Sequence, residues 1–263
     1  MILYVEKNLY DDEAVKDKID KIADRAGLTV ELIDGKYMSG NGYGQESEAN
    51  KLCLRYDSDG LSLVGEGQTF RGDYSRMLRR LSVNNLRSEL LVKASRIKDK
   101  DSPLVIDATA GMGEDSLLLA AAGYRVVMFE RNPIIAALLE DTIDRAKAEP
   151  QLGEIVTRME VVCKDSVEAL YKMRDNGEYA DVVYLDPMFP ERQKSALVKK
   201  KFQLIHLLEE PCSDEEQMMN AAIAAGPHKI VVKRPLKGPY LSGIKPGFSM
   251  SGKAIRYDCI IIN

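Results

Sequence analysis

The chain has 263 residues, 45% of them apolar and 30% charged, and its 37 basic and 41 acidic residues leave a net charge of −4. At about 150 residues per domain this is one large domain, or one domain with a smaller module, long enough to bury a core without disulfides or metal staples. The composition excludes wholesale disorder and an overall positive coat, and no run approaches the ~20 apolar residues of a membrane span.

Residues 1–68 read as a small α/β module with 14 acidic and 8 basic residues. Its N-terminus, Met1-Ile-Leu-Tyr-Val-Glu-Lys7, has no basic flank followed by an apolar run, so no secretory signal is expected. A helix is predicted over about 11–26, ending at Gly27, and Gly40-Asn-Gly-Tyr-Gly44 reads as a loop or turn. The charge then reverses. Residues 69–100 hold nine basic and three acidic residues, and 73–98 read as a basic helix leading into a main domain over 69–263.

From Leu104 onward, short β-rich runs alternate with helical patterns. Strands are predicted at 104–107, 125–130, 159–163, 181–185 and 229–233, with helices near 114–122, 133–148 and 166–174 between them. Pro133 fits a first helical turn. Residues 195–225 read as one or two helices broken at Pro211 and restarted by an N-cap at Ser213-Asp-Glu-Glu216. Strands that are continuous apolar runs spaced by helices imply an α/β fold, a mostly parallel sheet with helices on both faces. Gly, Pro and Ser content makes 235–254 a loop, so the last strand, 257–262, is expected to return antiparallel.

Four separated cysteines without a C-x-x-C pair, and only two histidines (His206 and His228), argue against a metal site and for reduced thiols in a cytoplasmic protein. Two further segments are basic: 191–201, with five basic residues against Glu191, and 229–256, with seven and no acid. Segregation of this kind is what a polyanion-binding face on an acidic protein looks like, although separate solvated faces give the same counts.

The chemistry concentrates at the predicted strand ends. Asp107-Ala-Thr-Ala-Gly111-Met-Gly113-Glu114-Asp115 turns the first strand into the first helix, with glycines that let a ligand approach the backbone. Glu130 ends the second strand, where an acid accepts hydrogen bonds from ribose hydroxyls. The turn lacks the third glycine of a dinucleotide fingerprint and sets two acids where a pyrophosphate would lie. It suits a cationic ligand such as S-adenosylmethionine and disfavours an NAD-dependent oxidoreductase. Asp165, beside Ser166, is placed to reach an adenine amino group or to cap the next helix. Asp186-Pro187-Met188-Phe189-Pro190 offers a carboxylate, a freed carbonyl and a ring, the groups that hold an exocyclic amine on a base.

The turn DATAGMG, the run ERNP at 130–133, VVKRP at 231–235 and above all the run VYLDPMFPERQKSALVKK at 183–200 resemble the small-subunit (16S) ribosomal RNA guanine-N2 methyltransferases of the RsmJ family. The resemblance extends over 100–263, more weakly over 61–100, and not over 1–60. It implies a class I methyltransferase, Rossmann-like sheet with an antiparallel last strand and methyl transfer from S-adenosylmethionine to the N2 amine of a guanine. Ribosomal RNA or the small subunit is the implied partner. By position, the resemblance assigns adenosylmethionine to Glu114, Asp115, Glu130, Arg131, Asp165, Ser166 and Asp186, beside Asp107, Gly111 and Gly113 of the turn. The chain departs from the family at Glu114, where a basic residue is usual. Asp186, Pro187 and Phe189 are the expected catalytic residues. Lys194, Lys199, Lys200, Lys233, Arg234, Arg76, Arg79 and Arg80 are the expected phosphate contacts. Methylation of another planar amine (adenine N6 in DNA or RNA, or a protein side chain) and a non-catalytic RNA-binding role stay open at this point.

Overall fold

The computed structural model describes residues 1–34, 52–187, 204–208 and 214–262. Chain order begins with β1 (Ile2–Glu6), α1 (Lys7–Tyr10), α2 (Glu13–Ala26), β2 (Thr29–Ile33), β3 (Cys53–Asp57), β4 (Gly60–Gly65) and β5 (Gln68–Phe70). It continues with α3 (Leu78–Leu81), α4 (Val83–Ser88), α5 (Leu90–Ala94), β6 (Leu104–Asp107), α6 (Glu114–Ala121), β7 (Arg125–Phe129), α7 (Pro133–Ala146) and α8 (Gly153–Val156). It closes with β8 (Met159–Val162), α9 (Ser166–Asn176), β9 (Val182–Leu185), α10 (Glu215–Ala224), β10 (Lys229–Pro235), β11 (Phe248–Ser251) and β12 (Ile255–Ile261).

Two units share these elements. The first comprises 1–73, 132–145 and 191–210. Its five strands run in the order β2-β1-β3-β4-β5, with β1 parallel to both neighbours and β4 and β5 added antiparallel. Helix α2 starts where the Asp12 side chain accepts the Ala14 and Val15 amides, and it ends at left-handed Gly27 (φ 61°). Ile19, Ile22 and Ala23 form its buried stripe at helical spacing. Asp141 of α7 is the polar centre of this unit. Its side chain is 1% exposed and accepts from the Leu61 amide (3.0 Å), Arg145 Nε (2.8 Å) and Lys18 Nζ (3.0 Å). Gly60 meets this cluster so closely that a Cβ there would lie 2.7 Å from Asp141 Oδ2 and from Arg145.

The second unit comprises 74–131, 146–190 and 211–263 and carries a seven-stranded sheet in the order β11-β12-β10-β9-β6-β7-β8. The five strands from β8 to β10 are parallel; β12 returns antiparallel beside β10 and β11 antiparallel beside β12. One face, Ile106, Val183, Leu185, Ile230 and Val232, packs with α9 and α10. Alternate residues face the other way, and there Tyr184 reaches α6 while Lys229 Nζ binds the Ala94 and Arg96 carbonyls at the end of α5.

Two expectations are corrected. Residues 73–98 are not one basic helix: extended ψ angles at Ser82 (142°) and Glu89 (125°) divide it into α3, α4 and α5. Both Ser82 Oγ and Asn85 Nδ2 donate to the Arg79 carbonyl, so side chains take the place of the helical backbone bond. Nor is 235–254 all loop, because it contains a 3-10 turn at Leu241–Gly243 and edge strand β11. The loop expected at Gly40–Gly44 lies outside the described residues, as does most of 195–213.

Candidate active site

The parallel strands of the second unit end together, and their carboxyl ends carry most of the residues singled out from the sequence. Asp107 closes β6 with 1% exposure. Its Oδ2 accepts from Ser116 Oγ (2.6 Å) and its Oδ1 from the Thr109 amide (3.0 Å). Burial raises its carboxyl strongly, to about 7, against the pull of those two bonds. The glycine turn follows, with left-handed Gly111 (φ 52°) and Gly113 (φ 70°), both conformations that side chains resist. The Gly111 amide donates to Glu130 Oε2 at 3.0 Å, so the acid at the end of β7 is drawn against the turn. Tyr74 braces the same turn by donating from its hydroxyl to the Met112 carbonyl (3.0 Å).

A second cluster adjoins the turn. Lys233 on β10 lies 2.6 Å from Asp115 Oδ2 and 2.9 Å from Asp186 Oδ2. Tyr184 on β9 donates its hydroxyl to Asp115 at 2.7 Å. Burial opposes ionisation of Asp115, but the Lys233 ammonium and the bonds from Lys233 and Tyr184 outweigh it and hold its carboxyl below the usual range. Burial likewise opposes the charge on Lys233, yet Asp115 and Asp186 raise it above an ordinary lysine. The Asp186 amide donates to Thr109 Oγ1 at 2.7 Å, fixing the chain where β9 ends. Pro187 beside it is buried.

The remaining expected residues separate. Glu114 and Arg131 are exposed at the rim. Asp165 caps α9, its Oδ1 accepting the Val167 and Glu168 amides, and Ser166 is buried beneath it. Two expected phosphate contacts are corrected. Arg234 is 1% exposed, donating to the Pro239 carbonyl and pairing with Glu215, so it has no free face for a phosphate. Lys233 is turned inward onto two carboxylates. Arg76, Arg79 and Arg80 are all exposed, and Arg80 forks onto Glu89 at 2.9 and 3.0 Å. Phe189, Lys194, Lys199 and Lys200 lie outside the described residues. Sequence reasoning missed Thr109, Ser116, Tyr184 and Tyr74. Only Thr109, two residues after Asp107 in the turn, carried a local signal.

The donor set fits a cationic ligand. Asp107, Asp115, Glu130 and Asp186 bring four carboxyl groups to one end of the sheet, with Lys233 the ammonium bonded among them. Glycine amides and a strand-end acid suit a nucleoside sugar, and the acidic set suits an ammonium or sulfonium centre.

Comparison with known proteins agrees. Residues 45–262 match the family described as "Putative SAM-dependent methyltransferase". The chain is 39% identical over 222 residues to the ribosomal RNA small subunit methyltransferase J of Thioalkalivibrio sulfidiphilus, covering 82% of this chain and 87% of that protein. It is 44% identical over 170 residues to the protein of that name from Pseudomonas aeruginosa, covering 65% of this chain and 64% of that one. The chain thus spans just under two thirds of the Pseudomonas relatives it matches. The crystal structure of a SAM-dependent methyltransferase from Neisseria gonorrhoeae is similar over 100% of this chain and 96% of that one, with a TM-score of 0.74 and 26% identity. The fold is therefore the class I methyltransferase sheet that the sequence implied, and the chain belongs to the SAM-dependent methyltransferase family.

Proposed function

We propose that this chain methylates the exocyclic N2 amine of a guanine in small-subunit ribosomal RNA, using S-adenosylmethionine. The observation that carries the reading is Asp186, a strand-end carboxylate followed by Pro187, pinned by Thr109 and Lys233 at the sheet end where Glu130 accepts from the Gly111 turn. Relatives named ribosomal RNA small subunit methyltransferase J support the substrate class.

Glu130 and the Gly111 turn would hold the ribose, Asp165 and Ser166 the adenine edge, and Asp115 the amino-acid end of adenosylmethionine, while buried Asp107 fixes the turn through Thr109 and Ser116. Bound there, adenosylmethionine supplies a methyl group made electrophilic by a cationic sulfur. The guanine amine is a weak nucleophile because its lone pair is delocalised into the ring. Asp186 and the Pro187 carbonyl accept its two N–H bonds, which orients the nitrogen and favours localisation of the pair. Lys233 keeps Asp186 in place through its Oδ2. Positioning and exclusion of water then carry most of the rate, and no strong base is required, because the amine becomes acidic as it is alkylated. Phe189, two residues beyond Pro187, belongs to the same reading as the ring that stacks the extruded base, and Lys194, Lys199 and Lys200 as phosphate contacts. A cytoplasmic setting, with the small subunit or its RNA as partner, follows from that substrate. Among the described residues no helix is long and apolar enough to cross a membrane.

The test is tritiated-methyl transfer from adenosylmethionine to small subunits from a strain lacking the gene, followed by nucleoside analysis. N2-methylguanosine is expected. Label in another nucleoside, or none in RNA despite calorimetric binding of adenosylmethionine, would replace this reading with another amine substrate.

A further inference from the structure

Beyond the acidic cluster, the loop 236–240 has a construction of its own. It leaves β10 at the end of the sheet where Asp186 lies, and two buried arginines hold it from beneath. Arg256, 7% exposed, donates through Nη1 to the Pro235 (2.8 Å) and Leu236 (2.9 Å) carbonyls and pairs with Asp258. Arg234 donates to the Pro239 carbonyl at 2.9 Å. Within the loop the Gly238 amide closes a turn onto the Pro235 carbonyl, and a Cβ at Gly238 would stand 3.2 Å from the Pro235 ring. Burying two guanidinium groups to fix a surface loop is expensive, and the result is a preorganised surface.

That surface displays an aromatic ring and cations. Tyr240 is 40% exposed, and the Arg256 guanidinium lies 5.1 Å from its ring centroid, anchoring the ring by a cation–π contact. Leu236, Lys237, Tyr240, Ser249, Ser251 and Arg256 line an open surface groove of about 350 Å³. Lys237 and Lys253 are exposed, in a stretch, 229–256, that has seven basic residues and no acid. From β9, which Asp186 directly follows, to β11, which carries Ser249 and Ser251, the sheet crosses three strand spacings, about 14 Å. A few nucleotides of a single strand bridge that span.

We propose that this open groove is a nucleotide subsite for single-stranded RNA, in which Tyr240 stacks a base flanking the target guanine and Lys237 contacts its phosphate. Aromatic stacking with adjacent cations is how single strands are held without reading their sequence. The subsite rests on the RNA reading above. It reassigns the phosphate contact from the inward-facing Lys233 and Arg234 to the loop that Arg234 helps to hold.

Fluorescence anisotropy with a labelled 12-nucleotide RNA carrying a central guanine tests it on the full chain. Tyr240→Ala is expected to weaken binding about ten-fold, and Tyr240→Phe to bind as the wild type does. Lys237→Gln is expected to lower the slope of log affinity against log salt by about 0.7. Calorimetric binding of adenosylmethionine identifies any variant that has lost its fold. Wild-type affinity and salt slope in folded Tyr240→Ala and Lys237→Gln would overturn the subsite, as would equal losses in Tyr240→Ala and Tyr240→Phe. Methyl transfer by the wild type is scored separately. If RNA binding depends on Tyr240 but no methyl is transferred to guanine, the proposed activity falls and the subsite stands.

Discussion

Lys233 Nζ stands 2.9 Å from Asp186 Oδ2. The register that places Lys233 one residue beyond the Val232–Leu185 pair of β10 and β9 puts this ammonium level with the first residue after β9. Its second partner, Asp115, comes from the first turn of α6, so one cation joins the two strand ends to the helix that follows the glycine turn.

Lys233→Met is therefore expected to lower the methyl-transfer rate by about 100-fold, equivalent to about 2.7 kcal/mol in the barrier. It leaves two carboxylates facing each other without their counter-ion. Lys233→Arg, which keeps the charge, should recover part of the loss. Steady-state transfer to RNA measures both, and equal activity in Lys233→Met and the wild type would remove Lys233 from the mechanism.

Glu130→Ala should weaken adenosylmethionine binding about ten-fold or more, as expected for losing a hydrogen bond to a charged group. The Gly111 amide loses its acceptor in the same step. Isothermal titration calorimetry gives the affinity directly.

Asp107 makes stability depend on pH in an unusual direction. Its folded carboxyl, pushed up to about 7 by burial, stays protonated while the unfolded chain ionises near its ordinary value. Stability from this group is full below the unfolded value and is lost as pH rises toward 7. Asp107→Asn lacks this loss, so its stability relative to the wild type should improve by about 2 kcal/mol between pH 5 and pH 7. Urea unfolding at the two pH values checks this, and a constant difference would contradict it.

Asp141→Ala should destabilise the first unit by about 3 kcal/mol, because it strips the Leu61 amide, Lys18 and Arg145 of a shared buried acceptor. Chemical denaturation followed by far-UV circular dichroism measures the loss.

Parallel strands covered on both faces are legible as short, mostly apolar runs, most plainly Val182-Val-Tyr-Leu185, and β6 and β9 fall where the sequence places them. Strand β11 is not legible: Phe248-Ser-Met-Ser251 is an exposed edge whose strand character comes from pairing with β12. The breaks at Ser82 and Glu89 were hidden because charge, which marks 73–98 so clearly, says nothing about ψ. At the site, Asp107, Glu130 and Asp186 were readable from their places at strand ends. The role of Lys233 was not, since its partners lie 118 and 47 residues away and only sheet register brings them together. Arg234 misled for the same reason: a basic residue in sequence does not declare which face of the strand it takes.

The discontinuity of the first unit bears on how the protein is made. Its five strands are complete by Phe70, yet the acceptor for the Leu61 amide belongs to Asp141. At about 5–20 residues per second, a ribosome delivers that aspartate several seconds after the strands have emerged. During that interval β4 waits with a polar gap at its start, while β6, α6 and β7 are synthesised. A fragment cut after residue 73 would be left permanently in that waiting state, so the early strands are better regarded as the opening half of a clasp than as a detachable piece.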